Sequence, residues 1–310
     1  MTCQTGQRLD IFLRTELPRQ TGETAEISNS KIRRFIVAGA VRVDGRQIRI
    51  PAFELHAGSI ITAAVDREKL FFEKQADDIA FDVTDEAVLY EDDVLIVVNK
   101  PAFFPTEETI VGSRDNLHAA VVRYLHSRKP ELRNPPYAGI MHRLDRETSG
   151  VILFTKQRTV NNAVHDMFEQ HTAHKVYRAV TVMPARMPPD TFSADTCTGR
   201  VSPKSAAAKW GSVPAAQGGV PAHTDFTVIG RGELAGRNVL YIEARPLTGR
   251  THQIRVHLSE KGMPIFGDVL YGAPGYDRIM LHAYTLTFPH PVTGEEITVT
   301  APLPAEFGVY

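Results

Sequence analysis

The feature that most limits the fold of this chain is a series of short, β-branched apolar runs separated by turns. From about Ala87 onward they read "VLIVVNKP", "GVILFTK", "KVYRAVTVM", "TDFTVIG" and "NVLYIEARP". Their residue types and bounding turns mark each as a strand. Helical patterns lie between them in "NLHAAVVRYLHSRK", "TVNNAVHDMFEQHT" and "GRTHQIRVHLSEKG", the last closed by Gly262. Strands outnumber helices and the connections vary in length. That pattern predicts an α+β domain with a mixed, mostly antiparallel sheet. Residues 200–222, rich in Ser, Ala, Pro and Gly, read as an exposed loop or insertion, and no internal repeat is visible.

A chain of 310 residues suits one large core plus a smaller module. The smaller one is expected over residues 8–66. Within it, "ISNSKIRRFIVAGAVRVDGRQIRI" holds a helix that Ser28 can cap, with Ile32, Phe35 and Ile36 on one face and Gly39 at its end. A hairpin follows, turning at Asp44-Gly45. Lys31, Arg33, Arg34, Arg42, Arg46 and Arg49 make this stretch basic against the single acid Asp44. The formal net charge of the whole chain is −1, so any nucleic-acid footprint must be local, and a basic helix beside a basic hairpin supplies one. The acidic run from Asp77 to Asp93 contains no Lys or Arg and reads as a solvated linker. The expected boundaries are 8–66 for the small domain, 67–86 for the linker and 87–310 for the large domain.

The two cysteines, Cys3 and Cys197, are not a disulfide framework, since Cys3 is expected in a flexible tail. The chain opens without an apolar leader, and no segment reaches the length of a membrane span. A soluble, cytoplasmic protein is therefore expected.

Chemistry concentrates in three segments. In "GIMHRLDRETSGVILFTK", Asp145 sits between Arg143 and Arg146 just before a strand. It can cap a turn, but Thr148, Ser149 and Gly150 can satisfy the local hydrogen bonds and leave its carboxylate free. Flanking arginines would favour the ionised form, which is the nucleophile. In "KVYRA", strand alternation puts Tyr177 on a face with Lys175 and Ala179. "LTGRTHQIRVHL" is denser in polar groups than a structural helix requires; a helix from Thr251 would place His252 and Arg255 on one face. His165, His171 and His174 lack the spacing of a zinc pair, and no thiol is near them in sequence. There is no Walker loop, dinucleotide fingerprint or nucleophile elbow. Nothing favours a two-carboxylate glycosidase.

Two resemblances join these pieces. "RLDIFLR", "ISNSKIRRFIVAGAVRVDG" and "LHAGSII" resemble the small RNA-binding domain of the S-four ribosomal-protein type. "VVNKP", "HRLDRETSG", "KVYRA" and "TGRTHQIRVHL…GMPIFGDVLYG…LHAYTLTFPHPVTGE" resemble, in order and spacing, the RluA-type pseudouridine synthases. One departure is the segment "AFFPTEE" after Lys100-Pro101, where many members carry a small residue and a histidine-containing turn.

The resemblance implies isomerisation of uridine in RNA to pseudouridine with no cofactor and no metal. Ribosomal RNA is the expected target, with transfer RNA the other candidate. Asp145 matches the catalytic aspartate of that family, Tyr177 the tyrosine that stacks on uracil, and Arg255 the arginine that ion-pairs with the aspartate. Arg143 matches the side chain that fills the gap left by the extruded base, and with His142 it belongs to the expected RNA contacts. Lys31, Arg33, Arg34, Arg42 and Arg46 complete the expected RNA surface. No obligate protein partner is expected, so the chain reads as a monomer. The alternative is an inactive RNA-binding or ribosome-assembly factor of the same fold, against which Asp145, Tyr177 and Arg255 all argue.

Overall fold

In the computed structural model, which describes residues 1–21, 27, 29–65, 78–107, 115–202 and 208–308, the chain divides into a unit at Met1–Asp78 and a larger one formed by Ile79–Glu107 and Asp115–Tyr310. The smaller unit is built on helical apolar periodicity. A short strand β1 (Gln7–Arg8) leads into α1 (Leu9–Thr21), and α2 (Asn29–Val37) follows. Leu9, Leu13 and Leu17 recur one turn apart on α1, as do Ile32 and Ile36 on α2, and all are buried in one cluster. Gly39, at φ +80°, follows the end of α2.

The hairpin of β2 (Val41–Val43) and β3 (Arg46–Ile48) turns through Asp44 at φ +49° and Gly45 at φ +80°. Two consecutive positive φ values are what a two-residue hairpin loop of this kind demands. β4 (Glu54–Leu55) pairs with β1, and β5 (Ile61–Ala63) pairs with β2. Alternation buries Val41 and Val43 and leaves Arg42 exposed between them; Arg33, Arg34, Arg46 and Arg49 are exposed too. Lys31 belongs to α2 but its side chain is outside the described part, and Ser28 is outside the described residues.

Cys3 is not in a flexible tail, contrary to the expectation from sequence. It is fully buried in the small core, its backbone N–H donates to Ser59 O at 3.0 Å, and Thr2 bridges Ile60. A reduced cysteine behaves as a small hydrophobe, and here it anchors the first residues. Both cysteines are free thiols.

In the larger unit the strands are β6 (Val88–Glu91), β7 (Leu95–Lys100), β8 (Gly139–Ile140), β9 (Ser149–Thr155), β10 (His174–Val182) and β11 (Thr191–Arg200). They continue as β12 (Trp210–Ser212), β13 (Val220–Leu234), β14 (Arg237–Pro246), β15 (Leu281–Pro289) and β16 (Glu296–Thr300). Among the described residues they form one sheet in the order β12-β11-β13-β14-β10-β15-β9-β7-β6, with β16 on β15 and β8 on β9. Every pairing is antiparallel except β9 with β15. The sheet is thus mixed and mostly antiparallel, as the pattern of runs predicts. Three helices pack with it: α3 (Leu117–Ser127), α4 (Asn161–Glu169) and α5 (Gln253–Glu260).

The first four residues of β7, Leu95–Val98, are all apolar because both faces of the strand are covered. Ile96 and Val98 pack with Ile152, Phe154 and Val121 of α3, whereas Leu95 and Val97 pack with Val151, Leu153 and Val164 of α4. A third cluster joins Ile242 and Ala244 of β14 to Ile254 and Leu258 of α5. The larger unit starts before Ala87, because Val83 is buried in its core and the rings of Phe81 and Phe104 meet edge-on at 5.4 Å. Residues 66–77, most of the expected linker, are outside the described residues.

The 200–222 stretch is not simply an exposed loop. Residues 203–207 are outside the described part, but Trp210–Ser212 pairs with β11 as β12. Ser212 N and Oγ donate to Glu260 Oε1 at 2.8 Å and Oε2 at 2.6 Å, which docks the strand on the end of α5.

Candidate active site

The parallel pair β9–β15 decides where the site lies, because both strands begin at the same edge. Their close approach depends on Gly150, paired with Ala283 at φ +116°. A Cβ there would stand 2.1 Å from Ala283 O. Beside it, Ser149 Oγ lies 2.7 Å from His282 Nδ1 and accepts from Arg278 Nη2 at 2.6 Å. The loop that enters β9 is tied down at two further points. Thr148 N–H donates to Asp145 O at 3.1 Å. Lys100, fully buried at the end of β7, donates from Nζ to the carbonyls of Pro101, Phe104 and Arg146 at 2.9, 2.7 and 3.0 Å. Burial pulls the Lys100 ammonium down to about 7, against the opposing charges of Glu147 and Asp145.

The carboxylate of Asp145 accepts from Arg255 Nη1 at 3.2 Å through Oδ2. The rest of that guanidinium belongs to Asp268: Nε donates to Oδ2 at 2.6 Å and Nη2 to Oδ1 at 3.0 Å. Arg255 and Asp268 are both buried, so this is a desolvated bidentate pair, and Nη1 remains to donate to Asp145. Burial would lower the basicity of Arg255, but the hydrogen bond and charge of Asp268, with the charge of Asp145, raise it above its ordinary value.

Tyr177 lines the same cavity as Asp145 and Arg255. On β10 it pairs with Ala244 of β14 and Ala283 of β15, next to a register shift between Val176 and Tyr177. Such bulges re-aim side chains beside active sites. Burial first, then the charge of Asp145, push its phenol well above the ordinary tyrosine range, so the hydroxyl stays protonated at neutral pH. Lys175, two residues earlier on the same face, donates to Thr248 O at 3.2 Å and is pulled down to about 8 by burial and by Arg250. These groups line a cavity of about 710 Å³ that also takes in Arg143 and His252. That volume suits a nucleotide-sized ligand.

The fold therefore brings Asp145, Tyr177 and Arg255 together from three separate segments. Two sequence expectations change. The flanking arginines are not the cations hydrogen-bonded to Asp145: Arg143 pairs with Glu107 at 2.5 Å and Arg146 with Glu147 at 3.0 Å. Arg143 is 63% exposed and stands at the rim of the cavity. His142, expected among the RNA contacts, lines the cavity and is held in place by the protein. Its Nε2 accepts from Leu153 N–H at 3.0 Å, and its ring lies 4.8 Å from that of Phe168. The second change concerns α5, which starts at Gln253 rather than Thr251 because His252 adopts a left-handed backbone at φ +55°. Among the described residues no three His, Cys, Asp or Glu side chains are grouped to hold a metal ion, those of "HDMFEQHTAH" included.

Three site residues escaped the sequence reading: Lys100, Asp268 and Tyr271. Asp268 had a signal, as a lone acid in the apolar stretch "PIFGDVLYG". An acid so placed is either exposed or paired with a buried cation.

Burial also fixes the charge of three imidazoles. His142 is lowered to about 3 by burial and by Lys175; His257 and His282, each lowered chiefly by burial, fall to about 4. In the unfolded chain these groups protonate near pH 6.5, so between there and about pH 4 the unfolded state binds more protons. Stability present above pH 6.5 should be lost as the pH falls through this window, by on the order of 1 kcal/mol per pH unit for each histidine. Urea midpoints at pH 7 and pH 5 check this, and equal midpoints would contradict it.

An ion-paired aspartate and an aromatic side chain share a cavity with cations at its rim, an arrangement that suits a flat polar ring carried on an anionic backbone. The comparisons specify the class. Residues 94–260 match the family model described as RNA pseudouridylate synthase, and residues 24–61 match the S4 domain. The chain is 31% identical to the ribosomal large subunit pseudouridine synthase C of Salmonella typhimurium and to that of Escherichia coli, in each case over 97% of this chain and 90% of the relative. Among solved structures, human RNA pseudouridylate synthase domain containing 1 is 26% identical, with a TM-score of 0.55, covering 70% of this chain and 82% of that one. Human RNA pseudouridylate synthase domain containing 4, at 24% identity and a TM-score of 0.56, shares the fold over 72% of this chain and 90% of that one. The chain belongs to the RNA pseudouridylate synthase family. It is an isomerase that converts uridine to pseudouridine in RNA, and its smaller unit carries an RNA-binding S4 domain. Among the described residues no helix is long and apolar enough to cross a membrane.

Proposed function

We propose that this enzyme modifies uridine in the RNA of the large ribosomal subunit, with Asp145 as its nucleophile. The relatives named for that activity, matched over nearly the whole chain, support the target. The observation that carries the site assignment is the contact of Asp145 with Arg255, itself clamped by Asp268, in the cavity that Tyr177 also lines. The isomerisation breaks the bond from uracil N1 to ribose C1′ and forms one from C5 to C1′. The C5 proton leaves, N1 gains a proton, and no oxidant or co-reactant is consumed. Asp145 forms a transient bond to the nucleotide, at the sugar or at the base, and is released as a carboxylate when the new glycosidic bond is complete.

Tyr177 provides the face on which the extruded uracil stacks. Its raised pKa keeps it a neutral hydroxyl in the free enzyme, a platform with a donor at its edge. Extruding a base costs roughly a few kcal/mol. Arg143, exposed at the rim, is placed to fill the vacated stack and offset part of that cost. The enzyme works as a monomer in the cytoplasm, where its RNA is found. Large-subunit RNA carrying tritium at uridine C5 tests the reading. Tritium should pass to water with the intact protein, and small-subunit or transfer RNA should release none. Release from transfer RNA alone would refute the target.

The exposed arginines of α2 and the β2–β3 hairpin supply affinity through RNA phosphates, together with Lys31. A chain starting at Ile79 keeps Phe81 and Val83 in the core and should retain the Asp145 site. It should bind long structured RNA more weakly. The dependence of log K on log salt should also become shallower, by about 0.7 to 0.9 for each phosphate that the shortened chain no longer neutralises. Titrations of both chains across a salt series measure this. Equal slopes and affinities would show that the smaller unit does not touch this RNA.

A further inference from the structure

A second nitrogen approaches the carboxylate of Asp145. His252 Nε2 lies 3.9 Å from Oδ2, the same oxygen that accepts from Arg255 Nη1. Its ring is held from the far side, where Nδ1 is 2.9 Å from the Tyr271 hydroxyl. That hydroxyl in turn accepts from the backbone N–H of Trp210 at 3.0 Å. His252 also holds a left-handed backbone, at φ +55° and ψ +20°, just before α5. A non-glycine residue in that region costs about 1–3 kcal/mol, a strain that clusters at functional sites.

These linked hydrogen bonds select a tautomer. If Nδ1 carried the hydrogen, the Tyr271 oxygen would accept twice, and its own O–H would have no acceptor among the described residues. The Nε2 lone pair would then face the carboxylate, and the two would repel. With the hydrogen on Nε2 both faults vanish: Tyr271 donates to Nδ1, and an N–H points at Asp145. Tyr271 stays a protonated donor, since burial raises its phenol to about 12. Burial also lowers the basicity of His252, against the charges of Asp145, Asp268 and Glu147 and with that of Arg255. The ring is therefore neutral at pH 7, with a single N–H.

We propose that His252 is a positioning residue: with Arg255 it holds Oδ2 of Asp145, so that Oδ1 is the oxygen that meets the nucleotide. This rests on the reading of Asp145 as nucleophile. The gap of 3.9 Å is longer than a hydrogen bond. Catalytic hydrogen bonds are often long in the free enzyme and tighten in the substrate complex. Oδ1 has no donor among the described residues and is left for reaction. The arrangement also gives β12 a function. Trp210 reaches the site through one backbone N–H, and Ser212 locks the same strand to Glu260 of α5.

Nitrogen-15 spectra of the full-length protein, labelled at histidine, test the tautomer without any substrate. His252 should carry its hydrogen on Nε2 at pH 7, and Tyr271→Phe should abolish that preference. In turnover, His252→Ala should lower kcat by about a hundredfold with little change in KM, the scale of losing one preorganised donor. His252→Gln, which restores an N–H near the same place, should recover at least about a tenfold part of that loss. Hydrogen on Nδ1 in the parent protein, or equal turnover by the Ala and Gln variants, would overturn the proposal. Full activity of Asp145→Asn would instead remove the reading beneath it, so the two failures are distinguishable.

Discussion

Asp145→Asn should lower pseudouridine formation by roughly a thousandfold or more while RNA affinity stays within about twofold. The amide has the shape of the carboxylate and can still accept from Arg255 Nη1. What it lacks is the negative charge that makes the oxygen a nucleophile. In the proposed function, binding rests on the other residues of the cavity wall, on rim cations such as Arg143 and on the basic smaller unit, all of which the substitution leaves in place. Single-turnover rates at saturating enzyme, beside filter-binding affinities, separate the two effects. Turnover within tenfold of the parent would remove Asp145 from the role of nucleophile.

Asp268→Asn should be costly in a different way. It leaves the buried Arg255 guanidinium without its bidentate carboxylate, and breaking a buried ion pair from one side costs about 3–5 kcal/mol. The unfolding midpoint in urea should fall accordingly. Turnover should fall as well, because the bonds at Nε and Nη2 fix the direction in which Nη1 points. Asp268→Glu keeps the charge and should retain more stability than the amide. Unchanged stability in Asp268→Asn would mean that the buried cation needs no second carboxylate.

Much of this was legible in the sequence. The β7 and β9 runs read as strands from their β-branched content and bounding turns, a content that burial of both faces explains. The two positive φ values of the small hairpin follow from Asp44-Gly45. Arg255 stood out because its segment carries more polar groups than a structural helix needs, and Asp145 because two arginines flank it. The roles of both, and of Tyr177, came from the resemblance of their segments to the RluA-type pseudouridine synthases. What stayed hidden depends on neighbours distant in sequence. The partner of Arg255 is Asp268, thirteen positions on and beyond the end of α5, and periodicity cannot pair them. The start of α5 is set by the backbone of His252, which its hydrogen-bonded place beside Tyr271 accompanies. β12 is too short to register as a strand and depends on β11 and Glu260. Cys3 read as tail because nothing local shows that Ser59 and Ile60 lie beside it.

The most direct test maps pseudouridine by chemical labelling across the large-subunit RNA of cells with and without the protein, and of deleted cells supplied with the Asp145→Asn variant. One or more uridines should be modified only where the intact protein is present, and unmodified in the deletion and in the Asp145→Asn cells. Restoration of the same positions by Asp145→Asn would contradict the assignment of Asp145 as the nucleophile.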